Sequence, residues 1–103
     1  MSAIYRHLIT IRVPIMLTIR EKISLAIATQ HIIQFNYKKE NGEMGARMGE
    51  PYEIRRTKTG KEILVVWDST RNSWRSFHME TIKGVKILEK RFNSRRGGYQ
   101  EIA

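Results

Sequence analysis

Residues 31–37, His31-Ile32-Ile33-Gln34-Phe35-Asn36-Tyr37, and residues 61–67, Lys61-Glu62-Ile63-Leu64-Val65-Val66-Trp67, decide the fold class. In the first, Ile33, Phe35 and Tyr37 alternate with Gln34 and Asn36, the period of two that sets one strand face on a core and the other in water. The second is apolar at consecutive positions, which reads as a strand covered on both faces and central in its sheet. Between them, Asn41-Gly42 supplies the positive φ angles of a tight hairpin. Residues 46–56 follow as a second strand, kinked or bulged at Pro51. The turn 57–60 leads into residues 61–67. A strand over 73–79, a short turn or 3₁₀ segment near 80–83 and a last strand over 85–91 complete the series. Five short strands at regular spacing describe a small barrel.

Upstream of the strands the period changes. Thr18 and Glu21 stand at the spacing of a capping box, and Ile19, Ile23, Ala26 and Ile27 repeat as a helical stripe. Residues 18–30 therefore form an amphipathic helix able to cover a sheet. Before it, Ile9, Ile11, Val13, Ile15 and Leu17 alternate with Thr10, Arg12, Pro14 and Met16. Residues 1–17 read as an extended arm, with a helical turn over 3–9 as the alternative. An apolar arm packs on its own domain or pairs with a second chain, so this segment is the candidate homodimer contact. The domain then spans residues 18–92. Residues 93–103, containing Ser94-Arg95-Arg96-Gly97-Gly98, read as a flexible basic tail.

The chain is 103 residues long, enough for one domain with a small core. It has no cysteine, which excludes disulfides, thiol nucleophiles and cysteine-ligated zinc. Arg6 and Arg12 interrupt the apolar start, so neither a membrane span nor a secretion leader is legible. A cytoplasmic protein is the expectation. Charge is the functional clue: 19 Lys+Arg against 10 Asp+Glu leave +9. Residues 1–50 carry seven basic and four acidic groups, and residues 51–103 twelve and six, so the excess doubles in the second half. A field of that sign attracts polyanions such as nucleic acid.

Catalytic patterns are absent. His7, His31 and His78 lie too far apart in sequence to suggest a shared metal, and no Ser-His-Asp order is visible. Gly42, Gly45 and Gly49 belong to a hairpin with no helix following, so they do not form a phosphate loop. No enzyme, metal or cofactor is expected.

Five segments together resemble the WYL domain family: Ala26-Ile27, Ile33-x-Phe35-x-Tyr37, Glu50-Pro51-Tyr52, Ile63-Leu64-Val65-Val66-Trp67-Asp68, and Arg71-x-x-Trp74-Arg75-x-Phe77. The resemblance covers residues 18–92. Where the family has its naming Trp-Tyr-Leu triplet this chain reads Glu62-Ile63-Leu64. The family's late Phe-Arg-Leu-Asp-Arg-Ile reads Phe77-His78-Met79-Glu80-Thr81-Ile82, without its arginines. The resemblance implies a mainly β fold with one N-terminal helix, a five-stranded Sm-like or SH3-like barrel, and a role in ligand sensing or nucleic-acid binding within bacterial or phage regulators. It also implies that Arg71 and Arg75 face a ligand groove, with His78 in a position that is normally arginine. Such domains usually follow a helix-turn-helix, for which seventeen residues leave no room, so a stand-alone accessory module is the expectation.

The residues add their own support. Single-strand binders combine cations with stacking aromatics. Trp67, Trp74, Lys61, Arg55, Arg71, Arg75 and His78 supply both and form the candidate nucleic-acid site. Trp67 also fits core packing, and Trp74 fits either face. Arg75 shares strand parity with Phe77. It either leaves the core at a bulge or barrel mouth to meet a ligand, or it pairs with a buried carboxylate, for which Glu50 is the candidate. The expected partner is single-stranded nucleic acid. The rival reading is an adaptor or inhibitor docking on an acidic protein such as a nuclease or a CRISPR effector.

Overall fold

A computed structural model describes residues 16–93 and Arg96. The expected arm over residues 1–17 lies outside the described residues except for Met16 and Leu17. The tail lies outside them except for Asn93 and Arg96. Among the described residues no helix is long and apolar enough to cross a membrane.

Helix α1 runs Ile19–Thr29, and its start is the capping box. The Glu21 amide donates to Thr18 Oγ1 at 3.0 Å, and the Thr18 amide donates to Glu21 Oε1 at 2.9 Å. Two amides that the first turn cannot pair internally are thereby satisfied. Ile23 and Ala26 bury completely against the sheet, flanked by Ile19 and Ile27.

Five strands follow: β1 His31–Lys38, β2 Met44–Arg56, β3 Glu62–Asp68, β4 Ser73–His78 and β5 Ile82–Arg91, with a 3₁₀ turn at Met79–Thr81 between the last two. They form one antiparallel sheet in the order β4-β3-β2-β1-β5. The middle strand is therefore β2. β3 is interior, paired on both sides, as its apolar run predicts. The Asn41-Gly42 hairpin is present, with Gly42 at φ 90°. The expected irregularity at Pro51 is a bulge that skips Tyr52 in the pairing with β3.

Alternate residues face a common core: Ile33 and Phe35 from β1, Leu64 and Val66 from β3, Ile82 from β5, and Ile23 and Ala26 from α1. Phe77 of β4 meets Phe35 of β1 edge-on at 5.0 Å and Tyr37 at 4.9 Å. In a flat sheet strands three places apart are about 14 Å apart. The sheet is therefore strongly curled around its core face, with α1 packed on that face. The outer strands β4 and β5 do not pair, so the barrel-like sheet is not closed. Gly49 marks the tightest approach: a Cβ there would lie 2.2 Å from the Trp67 carbonyl oxygen. Only glycine lets β2 and β3 come that close.

Candidate nucleic-acid interface

Pairing register sorts the expected site residues onto two sides of the sheet. On the concave side, Arg75 pairs with Val66 and shares the parity of Phe77 and Leu64. It is exposed, donates to Ser73 Oγ at 3.3 Å, and makes no ion pair among the described residues. The parity conflict is thus resolved at the mouth of the curled sheet, and the suggested pairing of Arg75 with Glu50 is wrong. The buried carboxylate nearest Arg75 in the register is Asp68, opposite Ser73.

Asp68 is the hub of this end. Its parity points it to the core side, where it is 1% exposed. Oδ1 accepts from the amides of Thr70 at 2.9 Å and Arg71 at 3.1 Å, which shapes the β3–β4 turn. Oδ2 lies 3.4 Å from Arg47 Nε and 3.6 Å from Arg71 Nη1. Neither Arg47 Nε nor Asp68 Oδ2 makes a hydrogen bond, so this pair is coupled by charge rather than by a well-aligned bond. Arg47 sits opposite Phe35 in the β1–β2 register, with its guanidinium 5.2 Å from the Tyr37 ring centroid and 6.0 Å from that of Phe77. Arg47 of β2 and Arg71 of the β3–β4 turn thus share one buried acid, Arg47 lies against two aromatic rings, and Arg75 of β4 projects from the same side of the sheet. Sequence reasoning missed Arg47. The signal was available: counting back from the Asn41-Gly42 hairpin places it on the face of Phe35 and Tyr37.

The other expected residues lie elsewhere. Trp67 and Trp74 pair across β3 and β4 on the convex side, ring centroids 5.4 Å apart, and Tyr52 meets Trp74 at 4.9 Å and Phe92 at 5.4 Å. Trp67 is therefore part of an outer aromatic cluster rather than the main core, and both indoles are half-buried. Arg55 and His78 share the convex side with Ile63 between them in the register. Arg55 is ion-paired with Glu53, and His78 is exposed at the start of the 3₁₀ turn. Lys61 occupies the β2–β3 turn, 3.4 Å from Glu80. The seven residues do not form one wall, and the concave group centres on Arg47, Arg71 and Arg75.

Two further acids shape the surface. Glu50, 5% exposed, is held by Arg96, whose Nε and Nη2 each donate at 2.8 Å. The adjacent Tyr52 hydroxyl has its pKa raised, chiefly by burial and then by the Glu50 charge. Glu62 receives 2.7 Å and 3.3 Å hydrogen bonds from Arg20, which, with Arg20's charge, hold its carboxyl below the ordinary 4.5. That pair ties the first turn of α1 to β3.

The fold is a helix-capped, curled five-stranded sheet with a cationic mouth. The chain belongs to the WYL domain family, whose match covers residues 18–87. It is 37% identical over 75 residues to an uncharacterized HTH-type transcriptional regulator, YobV, of Bacillus subtilis (strain 168), covering 73% of this chain and 24% of that protein. The chain thus spans about a quarter of the length of that relative. Its fold is similar to part of proteasome accessory factor B/C (PafBC) of Arthrobacter aurescens, with TM-score 0.63 and 12% identity, over 80% of this chain and 12% of that one.

Proposed function

We propose that this WYL domain is a non-enzymatic regulatory module that binds single-stranded nucleic acid at the concave mouth of its sheet. The observation that carries the reading is that Arg47, held against Tyr37 and Phe77, shares Asp68 with Arg71, while Arg75 projects from the same side of β4. Asp68 holds Arg47 and Arg71 in place, while Arg71, 43% exposed, and Arg75 reach solvent. Cations that are both fixed and accessible suit a phosphate backbone, and flanking rings suit unpaired bases. The net charge of +9 adds a long-range attraction. The similarity to a transcriptional regulator supports a place in transcription control, in the cytoplasm. The same reading gives residues 1–17 a dimer contact, which sedimentation of the full chain tests.

Charge reversal of Arg71 and Arg75 tests the main claim. The double variant R71E/R75E sets a new carboxylate beside buried Asp68 and so lowers stability; under conditions where circular dichroism shows it folded, it should lose single-strand binding by tenfold or more in low salt. Wild-type affinity should also fall steeply as salt rises, because each phosphate contact releases a counterion. Unchanged affinity in the folded variant sinks the proposal. The docking alternative draws on Met44 and Met48, exposed at 53% and 40% on β2. It predicts negligible affinity for any oligonucleotide and co-purification of a protein.

A further inference from the structure

We propose that Glu50 and Trp67 form a subsite that reads guanine, occupied in this structure by the guanidinium of Arg96 acting as an internal mimic of the base. The subsite lies on the convex side of the sheet, apart from the concave group, so the proposal goes beyond that reading, and the base preference is measurable on mononucleotides.

The argument starts from the buried carboxylate. Glu50 faces Trp67 across the β2–β3 register. Its Oε1 accepts from Arg96 Nε and its Oε2 from Arg96 Nη2, both at 2.8 Å, and Oε1 also takes a 3.3 Å bond from the Tyr52 hydroxyl. The centre of that guanidinium lies 4.7 Å from the Trp67 ring centroid. The site thus offers two acceptors side by side and an aromatic surface beneath whatever they hold. Few planar groups present two parallel N–H donors to such a pair. The guanidinium is one. Guanine is the other, since N1–H and the exocyclic N2–H flank one ring carbon just as two guanidinium nitrogens flank theirs. Adenine and cytosine turn one donor and one lone pair to the same acceptors, and uracil a single N–H between two carbonyls. Their lone pairs would face a buried negative charge.

The surroundings favour a nucleotide over a second arginine. A cavity of about 460 Å³ adjoins Glu50 and Trp67, lined also by Phe92, Asn72, Lys90 and Arg91. Its volume suits a small-molecule ligand. Lys90 makes no ion pair among the described residues, and Arg91 spends Nε on the Thr29 carbonyl at 3.1 Å. With Arg96 withdrawn, two cations therefore oppose the single Glu50 charge. An incoming cationic side chain meets that excess, whereas a guanine nucleotide places its neutral base on Glu50 and its phosphate beside Lys90 and Arg91.

The test is calorimetric titration of the full chain with GMP, IMP and AMP. IMP keeps N1–H and lacks the N2 amino group, so it isolates the second bond. The variant R96A should bind GMP at least about tenfold more tightly than IMP or AMP, the ratio expected for one hydrogen bond to a charged group. The wild type should bind GMP more weakly, because Arg96 competes. The variant R96A/E50Q should show no preference. Should R96A unfold because Glu50 is left without a cation, R96K retains the charge without the paired in-plane donors and should show the same preference. Equal affinities for the three nucleotides in the folded variant, or a preference surviving E50Q, overturn the proposal. The variant R71E/R75E should keep GMP binding. Oligonucleotide binding without a guanine preference defeats this subsite alone, and GMP preference without oligonucleotide binding defeats only the concave-face reading.

Discussion

Replacing Asp68 by Asn tests the hub on which the candidate interface depends. The aspartate side chain is fully buried, its two cationic partners are Arg47, 17% exposed, and Arg71, 43% exposed, and the amide is nearly isosteric. An Asn Oδ1 can still accept from the Thr70 and Arg71 amides, so the turn keeps its shape. What disappears is the negative charge opposite Arg47. Removing one member of a buried ion pair costs about 3–5 kcal/mol. Because Arg47 retains some access to water, the lower end, about 3 kcal/mol, is expected for D68N. A domain this size is stable by only about 5–10 kcal/mol, so the loss would be plain in urea denaturation followed by tryptophan fluorescence. In R47M/D68N the orphaned charge is gone and Met packs on Tyr37 and Phe77. The double variant should be more stable than the sum of the single effects by at least about 1 kcal/mol. A D68N variant within 0.5 kcal/mol of wild type, on the ~0.5 kcal/mol scale of ordinary surface changes, would refute the reasoning, as would strict additivity.

Two further predictions concern the frame around the site. Gly49→Ala puts a methyl group 2.2 Å from the Trp67 carbonyl and 2.7 Å from Val66 Cγ2, so β2 and β3 must separate. A loss of at least about 2 kcal/mol is expected from overpacking, read as a lowered Tm. Glu62 titrates below its ordinary 4.5 because Arg20 hydrogen-bonds its charged form. A lowered folded-state value means that the stabilisation is present above about 4.5 and is lost as pH falls through the lowered value. The stability gap between wild type and R20A should therefore be present at pH 7 and close in strong acid; a gap independent of pH contradicts the assignment.

Much of the fold was legible because its signals are local. The Thr18–Glu21 box, the period of two at Ile33, Phe35 and Tyr37, and Gly42 in its hairpin each depend on residues a few positions apart. The apolar run 63–67 correctly marked an interior strand, although β2 rather than β3 is the middle one. The Arg75 parity puzzle was real, and the mouth of the curled sheet answers it. The partner proposed for Arg75 failed for a definite reason. Glu50 lies on the opposite side of the sheet, where the bulge at Tyr52 and the path of the chain at Arg96 give it another cation. The seven candidate site residues divide between the two sides of the sheet for a related reason, since residues close in sequence alternate sides of a strand.

Hydrophobic period, capping and turn chemistry thus determined one helix followed by five short strands, and the five quoted segments carried the family resemblance, without any coordinates. Those signals act through neighbouring residues and survive in a one-dimensional reading. Tertiary structure alone decided which charges meet: Arg47 with Asp68 across two strands, and Arg96 with Glu50 across 46 positions. Such encounters depend on curl, register and bulge, which arise from the packing of the whole sheet and are encoded in no single stretch of chain.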